Sequence, residues 1–142
     1  MSLPTPHPGL VVSYAYLWAD ESTRGRDSGV KDRPCAIVVA RRVAEDRTIV
    51  TVVPVTHAPP RDMKSALELP SALKAHLGLD AARSWVVLSE YNEFLWPGPD
   101  LRPVAGGGFA YGILPPGFFR QLRDRLLTLA EERALRRVPR TE

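Results

Sequence analysis

The sequence predicts a mostly β domain of the α+β class: a small barrel of short strands carrying a short helix and a C-terminal helix. Three observations predict it. Several separate runs are rich in β-branched and aromatic residues, the composition that fits a pleated, half-buried surface. Fourteen prolines punctuate the chain, which favours short elements and turns over long helices. Only two modest segments read as helices. At 142 residues a single domain spanning 1–142 is expected, with enough chain to bury a core without disulfide or metal staples.

The first strand is expected over LVVSYAYLW, from Leu10 to Trp18, opened by Pro8-Gly9. A long polar loop follows from Ala19 to Pro34, holding two glycines and eight charged side chains; loops of that length usually carry function or lack order. Pro34 to Ala40 is continuously apolar and reads as a strand buried on both faces. Ala44-Glu45-Asp46-Arg47 is the expected hairpin connection to a third strand, Thr48 to Thr56, in which Pro54 marks an edge, a bulge or the strand's end. A helix is expected from Glu68 to Leu79, with Pro70 in its first turn and Gly78 just past its end. Leu69, Leu73 and Leu77 share one of its faces. Trp85 to Ser89 reads as another strand, running into an acidic-polar turn and a Pro/Gly turn. Gly106 to Gly117 is a glycine-rich loop or short strand, without the Gly-Lys-Ser/Thr ending of a phosphate-binding loop. Pro116 opens the last helix, which is expected to reach Arg136 with Phe119, Leu122, Leu126 and Leu129 as its apolar stripe.

The net charge of +3 is carried by the C-terminal segment, where Pro116 to Glu142 holds seven arginines against four acids. Most of those arginines lie off the apolar stripe, either as a solvated face or as a contact surface for a partner or for phosphates. Cys35 is the only cysteine, which excludes an internal disulfide and a cysteine-rich metal site; inside an apolar run it is expected to be a buried thiol. No apolar stretch approaches a membrane span. The opening MSLPTPHPGL lacks the charged and apolar regions of a signal peptide, so a cytoplasmic location is expected.

Pro8-Gly9 before an apolar strand, Arg33-Pro34 leading into CAIVVA, Val53-Pro54-Val55-Thr56 and the segment WVVLSEYNEFLW occur in an order and spacing that resemble the PemK/MazF-like toxins of bacterial toxin–antitoxin pairs. The resemblance covers most of the chain. It implies a small SH3-like barrel, a homodimer, and a cofactor-free, metal-independent endoribonuclease that cuts single-stranded RNA, mRNA included, and is silenced by a cognate antitoxin protein. By match to the family's motifs, Arg33 and Thr56 belong to the active site. The chemistry suits them. Cleavage by the adjacent 2′-hydroxyl builds charge on phosphoryl oxygens, and an arginine at a strand boundary is a rigid, permanently charged, two-pronged donor for it.

His57 adjoins Thr56 and is the candidate to exchange the required proton. Neighbours on a strand face opposite ways, so both reach one site only if the chain bends there. Arg24, Arg26 and Lys31 in the polar loop are candidates to track the RNA backbone. Trp18 and Trp96 either stack on unpaired bases or pack in the core or dimer interface. The family often carries a basic residue and then an aspartate after the later strand. Here that turn holds Glu90 and Glu93. Either glutamate could pair with Arg33 or act as a base near the substrate, or both could face solvent. Two other roles fit the same residues: a catalytically silent barrel that binds protein or nucleic acid, and a structural domain that docks its arginine-rich helix on a partner.

Overall fold

The computed structural model describes residues 3–23 and 31–138. Nine strands form one sheet flanked by short helices. The element order is β1 (Leu10–Tyr14), α1 (Ala19–Thr23), β2 (Arg33–Ala44), β3 (Arg47–Thr56), β4 (Ala66–Glu68), α2 (Ser71–His76), β5 (Trp85–Val87), β6 (Glu90–Leu95), β7 (Leu101–Arg102), β8 (Ala110–Ile113), α3 (Pro116–Glu131) and β9 (Arg136–Val138). The path runs β4-β5-β3-β2-β1-β7, with β6 also on β3, β8 also on β1, and β9 on β6. Every pairing is antiparallel except β6 with β9.

The long β2–β3 hairpin is the spine. Glu45 and Asp46 turn it, as the sequence suggests, and its register holds Cys35 opposite Pro54. On its other edge β3 pairs with β6 up to Val52 and with β5 from Val55. Pro54, which has no N–H to donate, falls in the gap where that neighbour changes.

Alternation along the strands splits the core in two. Val11, Ala36, Val53 and Val55 point to one face, where α2 contributes Leu73 and α3 contributes Leu122 and Leu129. Val12, Cys35, Ile37, Val50 and Val52 point to the other, where Tyr14, Phe94 and Leu101 close over them. Two ladder neighbours, β2 and β3, separate Tyr14 on β1 from Phe94 on β6, a backbone gap of roughly 14 Å in a flat sheet. Their rings nevertheless stack with centroids 4.5 Å apart. The sheet is therefore strongly curled, and its second core lies inside the curl. It is not a closed barrel, because the hydrogen-bonded path ends at β4 and β9 on one side and at β7 and β8 on the other. The expected barrel is corrected to an open, curled sheet.

Several boundaries move. The first strand stops at Tyr14, and Ala19–Thr23 of the expected loop is helical. The expected helix from Glu68 shrinks to Ser71–His76, because Ala66–Glu68 pairs with β5. Pro70 is its N-cap, and Gly78 follows its C-cap at φ 69°. Leu69, Leu73 and Leu77 are all buried, as their spacing predicts. The last helix ends at Glu131; Arg133 takes φ 56° and the chain re-enters the sheet as β9. Cys35 is fully buried. Among the described residues no helix is long and apolar enough to cross a membrane.

Candidate functional site

Arg33 is the first residue of β2 and lies opposite Tyr14 in the β1 ladder. Its backbone is fixed by the sheet, and its half-buried side chain is held by two contacts. Nη1 donates to the Val55 carbonyl at 3.3 Å, and the guanidinium carbon sits 5.0 Å from the centroid of the Trp18 ring. Its Nε is buried without a hydrogen-bond partner. Among the described residues no carboxylate lies within ion-pair distance of it. Asp32, the neighbour that could have neutralised it, pairs with Arg102 instead at 3.5 Å. A cation held on an aromatic face, with donor capacity unspent, is available to an anion.

Thr56 ends β3, opposite Trp85. Its Oγ1 accepts from the Ala58 N–H at 3.1 Å. That local turn fixes the hydroxyl and leaves its proton free to donate. It also ends the strand's alternation. Thr56 and His57 consequently line the same cleft, which is the bend their pairing requires.

His57 is exposed, and its Nε2 lies 2.9 Å from Asp80 Oδ2. The same carboxylate accepts from Lys74 Nζ at 2.8 Å and from the Ala82 N–H at 3.1 Å. Lys74 is buried on α2, although most lysines are solvated. It also donates to Ser84 Oγ at 2.8 Å and to the Ala82 carbonyl, so its three donors are used. The Lys74 hydrogen bond, and after it the one from His57, hold the Asp80 carboxyl below the usual aspartate range against the opposing effect of burial. An ionised carboxylate only accepts. His57 Nε2 therefore carries the proton it donates to Asp80, and in the neutral ring Nδ1 is the lone-pair nitrogen.

Two clefts meet at these residues. One, of about 290 Å³, is lined by Lys31, Arg33, Thr56, His57, Lys74 and Asp80 among others. The other, of about 550 Å³, is lined by Trp18, Arg33, Thr56, Arg61 and the acidic Asp20, Glu21 and Asp62. Arg33 and Thr56 form the wall shared by both.

The other expected residues lie elsewhere. Lys31 borders the first cleft, whereas Arg24 and Arg26 lie outside the described residues. Glu93 sits 3.5 Å from Arg137 and borders an apolar groove between the sheet and α3. Trp96 stacks on Phe94 at 6.2 Å. Neither Glu93 nor Trp96 lines either cleft, so the structure does not bring them to Arg33. Glu90 is taken by the Tyr16 hydroxyl at 3.1 Å and the Ala19 N–H at 2.9 Å. Burial pushes its carboxyl above the usual glutamate range. Neither glutamate pairs with Arg33. Lys74, Asp80 and Arg61 are cleft residues that sequence reading did not single out, and no local motif marks them. No family model, curated protein or solved structure matches the chain.

Proposed function

We propose that this chain is an endoribonuclease of the PemK/MazF kind, cutting single-stranded RNA without a metal by attack of the adjacent 2′-hydroxyl. The observation that supports it most is the Arg33 guanidinium: without a carboxylate in ion-pair distance among the described residues, over the Trp18 ring, and lining with Thr56 the wall where two clefts meet. In this reading the curled sheet is an SH3-like barrel variant. It acts as a homodimer held silent by an antitoxin protein, and works in the cytoplasm.

The step balances with groups this chain supplies. His57 Nδ1 takes the 2′-hydroxyl proton, the freed oxygen bonds to phosphorus, and the bond from phosphorus to the 5′-oxygen breaks. The products are a 2′,3′-cyclic phosphate and a 5′-hydroxyl whose proton comes from water, and His57 then releases the proton it took to solvent. Arg33 and the Thr56 hydroxyl donate to the phosphoryl oxygens as charge grows there.

Purified protein incubated with single-stranded RNA and a chelator should cut it. Arg33→Ala should slow cutting by about 10²- to 10³-fold, the usual effect of removing one preorganised donor to a developing oxyanion. Arg33→Ala cutting at the wild-type rate refutes the site. A second reading, a curled sheet that binds a protein partner without cutting RNA, is favoured by Asp20, Glu21 and Asp62 on the second cleft, which would repel phosphates. A wild-type protein that neither cleaves RNA nor retains it on a filter would select it.

A further inference from the structure

Lysine is seldom buried, and Lys74 is 4% exposed on a helix of six residues. Its amine binds the very carboxylate that binds His57. Asp80 Oδ1 accepts from Lys74 and the Ala82 N–H, and His57 Nε2 lies 3.2 Å from Oδ1 and 2.9 Å from Oδ2. All three side chains border the cleft that also holds Arg33 and Thr56. We infer that Lys74 and Asp80 are positioning residues for His57, forming a Lys74–Asp80–His57 relay that fixes the imidazole with its bare Nδ1 as the proton acceptor of the cleft. The role rests on the ribonuclease reading.

The geometry gives each member one task. Lys74 is anchored by Ala82 and Ser84 and so cannot follow a mobile carboxylate. Asp80, tied on Oδ1 by Lys74 and the Ala82 N–H, holds its carboxylate at a fixed place. His57 is otherwise exposed, and its ring gains a single orientation from that carboxylate. An imidazole whose tautomer and angle are set in advance loses less on reaching the transition state.

A structural pin for the 80–84 segment would use the same lysine and aspartate, so the test separates the two. Nitrogen-15 correlation spectra of the imidazole, free of RNA, should show His57 wholly protonated on Nε2 in the wild type. They should show a mixed tautomer population in Asp80→Ala. In RNA cleavage Asp80→Ala should lower kcat roughly 10- to 100-fold, the usual effect of removing the group that orients a functional imidazole, with KM unchanged. Added to His57→Ala it should have no further effect, because the relay acts only through that ring. Asp80→Asn keeps an oxygen for Lys74 and is read in the same way if Asp80→Ala does not fold. A wild-type His57 protonated on Nδ1, or an effect additive with His57→Ala, overturns the relay while leaving the ribonuclease reading in place. A wild-type protein that cuts no RNA overturns that reading and the relay's role with it, whatever the spectra show.

Discussion

Replacing Asn92 by alanine tests how the chain beyond β1 is clamped at Leu17. Asn92 sits on β6 with no exposed surface. Its Oδ1 accepts from the Leu17 N–H and its Nδ2 donates to the Leu17 carbonyl, both at 2.9 Å. Leu17 is buried beyond the end of β1, so one side chain supplies both partners that a strand neighbour would otherwise give. Alanine leaves a buried donor and a buried acceptor unpaired at about 1–3 kcal/mol each, roughly 4 kcal/mol together. The 142-residue chain, at roughly 2.1 cal/mol/K per residue, has an unfolding entropy of about 0.3 kcal/mol/K, so Tm should fall by about 13 °C. Scanning calorimetry reads this directly. Asn92→Asp sharpens the test. A carboxylate oxygen would face the Leu17 carbonyl at neutral pH, whereas a protonated carboxyl would donate to it. The aspartate's folded pKa is therefore raised, and this variant should be most stable below the ordinary aspartate value and lose stability as pH rises through the folded one. A Tm drop under about 4 °C for Asn92→Ala, or an Asn92→Asp variant that gains stability with rising pH, would refute the claim that this amide is the clamp.

Glu90 gives a second pH test. Burial raises its carboxyl above the ordinary value of 4.5, so the folded state holds a proton more tightly than the unfolded chain. Wild-type stability should be unaffected by this group below that value and should decline as pH rises through the folded pKa. Glu90→Gln removes the decline, and its advantage over wild type in urea titrations should grow from pH 4 to pH 7. Equal differences at both pH values would sink it. Gly98 adopts φ 68°, and a Cβ there would lie 3.1 Å from the Leu95 carbonyl oxygen and 3.0 Å from the Phe94 ring. Gly98→Ala should therefore cost about 1–3 kcal/mol by equilibrium unfolding, whereas Gly106→Ala, with open space around its Cβ, should be nearly neutral.

Local chemistry made much of the fold legible. The β2–β3 hairpin, the Leu69, Leu73 and Leu77 stripe, Pro116 at the head of α3 and the buried Cys35 all follow from rules that act within a few residues. Two of the misplacements have a common cause. Ala66–Glu68 is a strand because β5 offers it a ladder, and Arg136–Val138 leaves the helix because β6 does the same. Partners distant in the chain overrode local preference there. The same holds at the site. Arg33, Thr56 and His57 were singled out by short motifs and by residue type. Glu93 and Trp96 were singled out in the same way, and the curl of the sheet carries them elsewhere.

Strand and helix periodicity, turn residues and the position of Arg33 before an apolar run were set by the sequence alone, because backbone sterics and side-chain burial act at short range. The meeting of Arg33 with Trp18, and of His57 with Asp80 and Lys74, was decided by tertiary structure. Those contacts depend on how far the sheet curls and where the loop after α2 returns. That is fixed by the packing of two cores drawn from the whole chain, a sum of long-range terms that no segment carries by itself.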